Sequence, residues 1–302
     1  MDIVLSPHIS TNKNVVSSEP HKSDALEQYD GWGGMKKKGL IKKDREDLPL
    51  ISVITVVKDG AETLRETLES VFMQSYGNIE LIVFDGASED GSLDIIKENE
   101  ENIDVWASGP DKGIYDAMNK ALGFASGRYI HFLNSDDHYS YYGVLQIVMQ
   151  AFKKYQARLV HTNILMLNPD RGYGWVRHSN VSKYYYLFKG IPQQAFFYEK
   201  SLFNDFGNFD LDYPIVADLE FLLRVKMKHK VPSRFLNTPS VIFLSGGISG
   251  DMMRKRAQRE EVLKKYYSKR EFLLLRNRLF EKLLTKNEMR GKKKSFIEKH
   301  LG

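Results

Sequence analysis

The sequence predicts an open α/β sheet, mostly parallel and flanked by helices, with a helical extension at its C-terminal end. Three observations carry that expectation. Runs such as Ile51-Ser52-Val53-Ile54-Thr55-Val56-Val57 and Ile79–Phe84 are apolar at nearly every position, as in strands covered on both faces. Between them lie stretches whose apolar residues recur at helical spacing. Polar and acidic clusters fall where the strands end, which is where ligands sit in such sheets.

Taken in order, residues 1–49 are polar, with sparse apolar positions and with Gly31, Gly33 and Gly34 beside Lys36, Lys37 and Lys38. They are expected to form a poorly ordered arm or a loosely docked extension. A body over residues 50–250 opens on the strand Ile51–Val57 and turns at Lys58-Asp59-Gly60. Leu64, Leu68, Val71 and Phe72 then mark an amphipathic helix. The strand Ile79–Phe84 ends at Asp85-Gly86, and a short helix around Leu93–Lys97 and a strand at Ile103–Trp106 follow. Ile114, Met118, Leu122 and Ala125 share one helical face, and the strand Tyr129–Leu133 runs into Asn134-Ser135-Asp136-Asp137. Further on come a helix over Val144–Phe152 and a strand over Arg158–Leu167. An aromatic stretch at 168–193 has no clear period. A strand at Ala195–Tyr198, a helix at Asp218–Met227 and a strand at Val241–Leu244 complete the body. In residues 251–302 the apolar positions Val262, Tyr266, Leu273, Phe280 and Leu284 keep near-helical spacing among basic residues.

With 302 residues, 42% of them hydrophobic, the chain can bury a sizeable core. It has no cysteine, which excludes disulfides, thiolate metal sites and cysteine nucleophiles. No apolar run is long enough to span a bilayer and no signal core opens the chain, so a soluble, cytoplasmic protein is expected. From Met252 to Gly302 there are 17 Lys and Arg against 6 Asp and Glu, more than the whole net charge of +5, so the rest is acidic. A basic, amphipathic tail on an acidic body fits an anionic membrane surface, a polyanionic acceptor or nucleic acid; the tail shows no nucleic-acid reading motif. The alternative packs its apolar stripe on the body and leaves the lysines solvated.

Four constellations can carry chemistry. In Asn134-Ser135-Asp136-Asp137, adjacent carboxylates at a buried strand end repel and titrate as a pair. Mg²⁺ or Mn²⁺ would relieve that repulsion and could bridge the phosphates of a nucleotide diphosphate. The competing reading is an Asx turn or helix cap, and the position directly after a strand favours the metal. Asp85 can accept hydrogen bonds from a base or a ribose, while Ser88 and Asp90 cap the next helix. Lys112 lies near a helix N-terminus, where it and backbone N–H groups could meet a phosphate, and Asp116 and Asn119 share a face. The fourth is Asp218, which can serve as a base if an apolar wall raises its pKa, or can be an N-cap; Glu220 is too close in sequence to share its face.

The motifs from Ile51–Val57 with Asp59-Gly60, through Ser70-Val71, Gln74-Ser75-Tyr76 and Ile79–Gly91, to Asp111–Lys120 and Leu133–Asp137 resemble glycosyltransferase family 2. The likeness is closest to its bacterial polysaccharide-building branch and covers about residues 50–250. The resemblance implies a GT-A fold with a Rossmann-like sheet, a nucleotide-sugar donor (often UDP-linked), a divalent metal and inversion at the anomeric carbon. By position it implies donor contacts at Asp85, Asp111, Lys112, Asp116, Asn134 and Asp136, and metal ligation at Asp136 and Asp137. It further implies Asp218 as catalytic base and Gln194 on the acceptor side. The implied acceptor is a glycan or lipid-linked glycan at the inner membrane face, with the protein peripheral there. Asn134 stands where the family pattern has its first aspartate, Gln193 where a histidine often precedes the glutamine, and Asp59 where asparagine is common.

Two other classes compete. A pyrophosphorylase or dinucleotide oxidoreductase would want a glycine-rich loop after the first strand, and Lys58-Asp59-Gly60-Ala61-Glu62 has one glycine. A non-catalytic nucleotide-sugar or glycan-binding module would keep Asp85 without needing Asp218.

Overall fold

A computed structural model describes residues 15–17, 24–168, 173–177, 192–244 and 252–275. The strands are β1 (Val15–Ser17), β2 (Gly31–Gly33), β3 (Leu40–Lys42), β4 (Ile51–Val57), β5 (Ile79–Asp85) and β6 (Val105–Ser108), then β7 (Tyr129–Phe132), β8 (Asp137–Tyr139), β9 (Leu159–Asn168), β10 (Tyr173–Arg177), β11 (Phe196–Glu199) and β12 (Ser233–Leu244). The helices are α1 (Asp24–Glu27), α2 (Ala61–Phe72), α3 (Ser92–Glu98), α4 (Ile114–Phe124), α5 (Val144–Tyr155), α6 (Ser201–Phe206), α7 (Ala217–Leu223), α8 (Met252–Tyr266) and α9 (Lys269–Leu275).

Ten of these strands form one sheet in the order β2-β6-β5-β4-β7-β11-β9-β12-β8, with β10 added to β9. Strand β4 lies near its middle and every one of its residues is buried, as its unbroken apolar run requires. Strands β6, β5, β4 and β7 run parallel, and β12 parallels β9. Strands β2, β8, β10 and β11 pair antiparallel, so the sheet is mostly but not purely parallel. Val57 pairs with Asp85 and Asp85 with Ser108, which brings the carboxyl ends of three strands level. Helix α2 buries Leu64, Leu68 and Val71 against the sheet; α5 buries Val144, Leu145, Val148 and Phe152.

Several elements differ from the sequence pattern. The strand expected at Ile103–Trp106 lies two residues later, because the Ile103 and Asp104 carbonyls accept from Met35 and Lys36 and the Asp104 carboxylate accepts from Leu81 N–H. Strand β12 starts at Ser233, well before Val241, and its register slips on either side of Pro239, which has no N–H to give. A 3₁₀ turn over Gln193–Ala195 precedes β11. The helix expected to reach Met227 changes into a π-turn over Arg224–Lys228. The aromatic positions Tyr184, Tyr185, Tyr186 and Phe188 lie outside the described residues.

Residues 24–49, expected as a loose arm, are built into the body. Strand β2 pairs with β6 at the sheet edge, and Leu26, Trp32 and Met35 are buried. Two lysines of this segment neutralise carboxylates inside: Lys42 Nζ is 2.8 Å from Asp104 and Lys36 Nζ is 2.6 Å from Glu80. Glu80 also accepts from the hydroxyls of Ser52 and Ser126 and from Ser126 N–H. Burial alone would raise its pKa, but the Lys36 charge and the hydrogen bonds hold it below the usual carboxylate range. Replacing one partner of a buried pair strands the other, so Lys36→Met should cost about 3 kcal/mol in urea denaturation at neutral pH. Because the folded pKa of Glu80 is depressed, the pair's contribution is complete above the unfolded value of about 4.3 and is lost as pH falls through the folded value. The stability gap between wild type and variant should therefore narrow as pH falls through that range.

The tail is also more engaged than its charge implied. On α8, Val262 and Leu263 are buried against the body, as is Tyr267 just after it, and Tyr266 is half-buried, so the first part of the stripe packs on the protein. Phe280 and Leu284 lie outside the described residues. Among the described residues no helix is long and apolar enough to cross a membrane.

Candidate active site

The loops after β4, β5, β6 and β7 meet along one edge of the sheet, and two glycines mark how closely. A Cβ on Gly86 would collide with the Asp111 carboxylate, and one on Gly60 would come 3.1 Å from Ser135 Oγ. The β5 loop thus lies against Asp111, and the β4 turn against the Asn134–Asp137 loop. Hydrogen bonds lock this floor. Asp59 accepts from Glu89 N–H at 2.9 Å, and Ser88 Oγ accepts from Asp59 N–H at 2.9 Å. Asp90 caps two helices at once, accepting from Ala61 N–H at 2.8 Å and from Ser92 N–H at 3.0 Å.

Asp85 is fully buried, accepting from Ser108 Oγ at 2.6 Å and from Ser88 N–H at 3.2 Å. It faces the protein's own hydroxyl rather than an open cleft. Asp111 is partly exposed and accepts from Gly113 N–H at 2.7 Å. Asp116 accepts from Lys112 N–H at 2.9 Å and pairs with Lys120 at 2.8 Å, while the Lys112 side chain is exposed. Burial opposes ionisation of Asp116, but Lys120 and Lys112 hold its carboxyl below the usual range. Asn119, read on the same face as Asp116, serves the scaffold instead, exchanging two hydrogen bonds with the Phe209 backbone.

The Asn134–Asp137 loop divides by exposure. Asp136 is partly exposed, its pKa raised by burial. Asp137 is fully buried, and burial followed by the Asp136 charge pushes its carboxyl well above the usual range, against the pull of Gln194. Gln194 Nε2 donates to Asp137 Oδ2 at 2.7 Å, so its amide is spent inside the protein rather than turned toward an acceptor. The Gln194 carbonyl is 2.9 Å from His131 Nε2, and His131 Nδ1 is 2.8 Å from the Tyr139 hydroxyl. A carbonyl can only accept, so Nε2 carries the proton and Tyr139 donates to Nδ1. Burial lowers the His131 pKa to about 4, keeping the ring neutral.

Two buried oxygens beside Asp136, Asn134 Oδ1 and Asp137 Oδ1, have no hydrogen-bond partner. Oxygen donors next to a carboxylate suit a hard divalent cation. Among the described residues no three His, Cys, Asp or Glu side chains cluster as a metal cage. One or two carboxylates completed by substrate phosphates is the arrangement Mg²⁺ ordinarily adopts, so the residues present fit a metal that arrives with a phosphorylated ligand.

Asp218 opens α7 and is partly buried. Burial raises its pKa, opposed by hydrogen bonds from the Tyr115 hydroxyl and Leu219 N–H and by the charge of Lys255. Tyr115 stands in the first turn of α4, directly after the Asp111–Gly113 loop, so it ties the Asp218 end of the site to the sheet-end loops. Glu220, the rival carboxylate, is buried and engaged by Arg224, Lys265 and Tyr266. Tyr115, His131 and Lys255 were missed by sequence reasoning. Tyr115 was within reach, as the residue next to the conspicuous Asp116; the partners of the other two are far away in the chain.

Residues 52–212 match the family model for Glycosyl transferase family 2. An uncharacterized glycosyltransferase of Mycobacterium tuberculosis is 35% identical over 185 residues, covering 59% of this chain and 70% of that one. Among solved structures, Staphylococcus aureus TarS 1–349 in complex with UDP superposes with a TM-score of 0.55 at 17% identity, over 72% of this chain and 70% of that one. Of a further TarS chain the match spans 42%. The mannosyltransferase PcManGT of Pyrobaculum calidifontis, in complex with GDP-Man and Mn²⁺, gives 0.53 at 18% identity, over 74% and 64% of the two chains.

Proposed function

The chain belongs to Glycosyl transferase family 2, and from that premise we propose that it transfers a sugar, with inversion, from a nucleotide diphosphate donor to an acceptor hydroxyl in cell-surface polysaccharide synthesis. The observation that carries the proposal is the juxtaposition of Asp136, with two unpartnered oxygens beside it, and the sheet-end loops that Tyr115 ties to Asp218. The UDP and GDP-Man complexes of the structural neighbours support a nucleotide-sugar donor, and the Mn²⁺ of one supports a divalent metal.

In this reading Asp136 is the ligand that faces the donor, with Asn134 Oδ1 and Asp137 Oδ1 the oxygens behind it. A bound Mn²⁺ or Mg²⁺ would offset the charge that develops on the leaving diphosphate. Asp111 and Lys112 bound the donor pocket, and Asp85 acts through Ser108 and Ser88 to shape its nucleoside end. Gln194 supports Asp137 rather than the acceptor. Asp218 takes the acceptor hydroxyl's proton as the new bond to the anomeric carbon forms and the bond to the diphosphate breaks on the opposite face. The acceptor is a glycan or lipid-linked glycan; any peripheral contact with a membrane would rest on the basic residues of the tail, since Val262 and Leu263 of α8 are buried in the body.

Melting curves with UDP, GDP, CDP or dTDP, each with Mn²⁺ and with chelator, test the donor site. A ligand held only by the folded state at 100 times its Kd stabilises by about 2.7 kcal/mol. One nucleotide should raise the melting temperature in Mn²⁺ and lose most of that effect in chelator. No shift with any of the four at saturating concentration would favour a module without a donor site.

A further inference from the structure

Glu220 lies two residues after Asp218 on α7, and its side chain is 1% exposed. Its two oxygens take donors from different helices. Oε2 accepts from Arg224 Nε at 3.1 Å and Nη2 at 2.8 Å. Oε1 accepts from Lys265 Nζ at 3.0 Å and from the Tyr266 hydroxyl at 2.5 Å, both on α8. Helix α8 is fastened to the same segment at two more points: Ile215 N–H donates to Gln258 Oε1 at 3.1 Å, and the Tyr213 hydroxyl to Glu261 Oε1 at 3.4 Å.

These contacts hold a short helix whose apolar residues are buried in the core. Helix α7 has seven residues, too few for a helix to be stable unaided, and a π-turn follows it directly. What holds α7 therefore decides where Asp218 stands. A buried carboxylate with donors on every side is rigid when complete and costly when incomplete. Helix α8 also carries Lys255, whose charge favours the ionised form of Asp218. All of α8 lies beyond residues 52–212, outside the part of the chain that the family model matches.

We propose that α8 is part of the catalytic unit: Lys265 and Tyr266 clamp Glu220, and through α7 they position the base Asp218. The inference rests on the reading of Asp218 as base. Glu220 is a positioning residue that never meets substrate.

The test uses the full chain with the double change Lys265→Met/Tyr266→Phe, which leaves Glu220 its Arg224 partner, and is read only on protein whose circular dichroism and melting transition show a folded chain. Turnover is read as nucleoside diphosphate released from UDP-, GDP-, CDP- and dTDP-hexoses with water as acceptor. A misplacement of the order of 1 Å costs roughly 10²-fold, so kcat should fall about 10²-fold while the donor KM and the nucleotide-induced melting shift stay unchanged. Hydrogen exchange should quicken across residues 217–223 and not at residues 134–137. The single change Lys255→Met removes a charge that favours the carboxylate, so the acid limb of kcat should move to higher pH. Unchanged exchange in 217–223, wild-type kcat, or loss of donor binding together with turnover would each overturn the proposal. Asp218→Asn is run alongside. If it keeps wild-type turnover the base reading itself fails, whereas an inactive Asp218→Asn beside a normal double variant defeats only the role of α8.

Discussion

Asp136→Ala should abolish transfer, lowering kcat on the order of 10³-fold, the size of a lost metal contact to a leaving diphosphate. The reason is local. Asp136 is the partly exposed carboxylate of its loop, and the oxygens beside it, on Asn134 and Asp137, are buried without partners. The same change removes a like charge next to Asp137, whose carboxyl is already held well above the usual range by burial and by Asp136. The metal-free variant should therefore melt at or above the wild-type temperature, so inactivity cannot be laid to unfolding. Its stabilisation by nucleotide should no longer respond to Mn²⁺. Near-normal turnover in Mn²⁺ would remove Asp136 from the metal site and point to a charge-neutral binding role.

Asp218→Asn should lower kcat by 10²- to 10⁴-fold, the usual worth of a positioned base, with donor KM nearly unchanged. The pH profile adds a second check. The folded pKa of Asp218 is raised by burial, and the base must be ionised to accept a proton. Wild-type turnover should thus fall as pH drops through a value above that of an ordinary aspartate, and that limb should vanish in the Asn variant. Tyr115→Phe removes a hydrogen bond that favours the ionised form, so the limb should move to higher pH with activity retained above it. A wild-type pH profile in Asp218→Asn would give the proton transfer to another group. Glu220 is a poor substitute, because Arg224, Lys265 and Tyr266 already occupy its oxygens.

The central strands of the body were legible because they are apolar over nearly their whole length, and the polar clusters were legible because they interrupt that pattern at strand ends. Ile51–Val57 and Asp85 illustrate both. The register that sets Val57, Asp85 and Ser108 level was not written in any of those segments, since pairing joins residues 28 and 23 positions apart. The edge strand at Gly31–Gly33 was illegible for a different reason. Its segment is polar and rich in lysine, and the carboxylates that neutralise Lys36 and Lys42 stand at Glu80 and Asp104.

By itself, then, the sequence determined the α/β class, the family and the places of its acidic clusters, because strand burial and local motifs depend on near neighbours along the chain. Only the tertiary structure decided which of those acids face outward. Asp85 and Asp137 are candidate site residues in the sequence, yet each is buried and bound by Ser108 or Gln194, and Glu220, set aside there in favour of Asp218, is held by Arg224, Lys265 and Tyr266. Asp136 and Asp218 remain partly exposed. The physical reason is that ionisation and exposure are set by desolvation and by partners in space, and those partners lie on segments of the chain far from the carboxylates they hold.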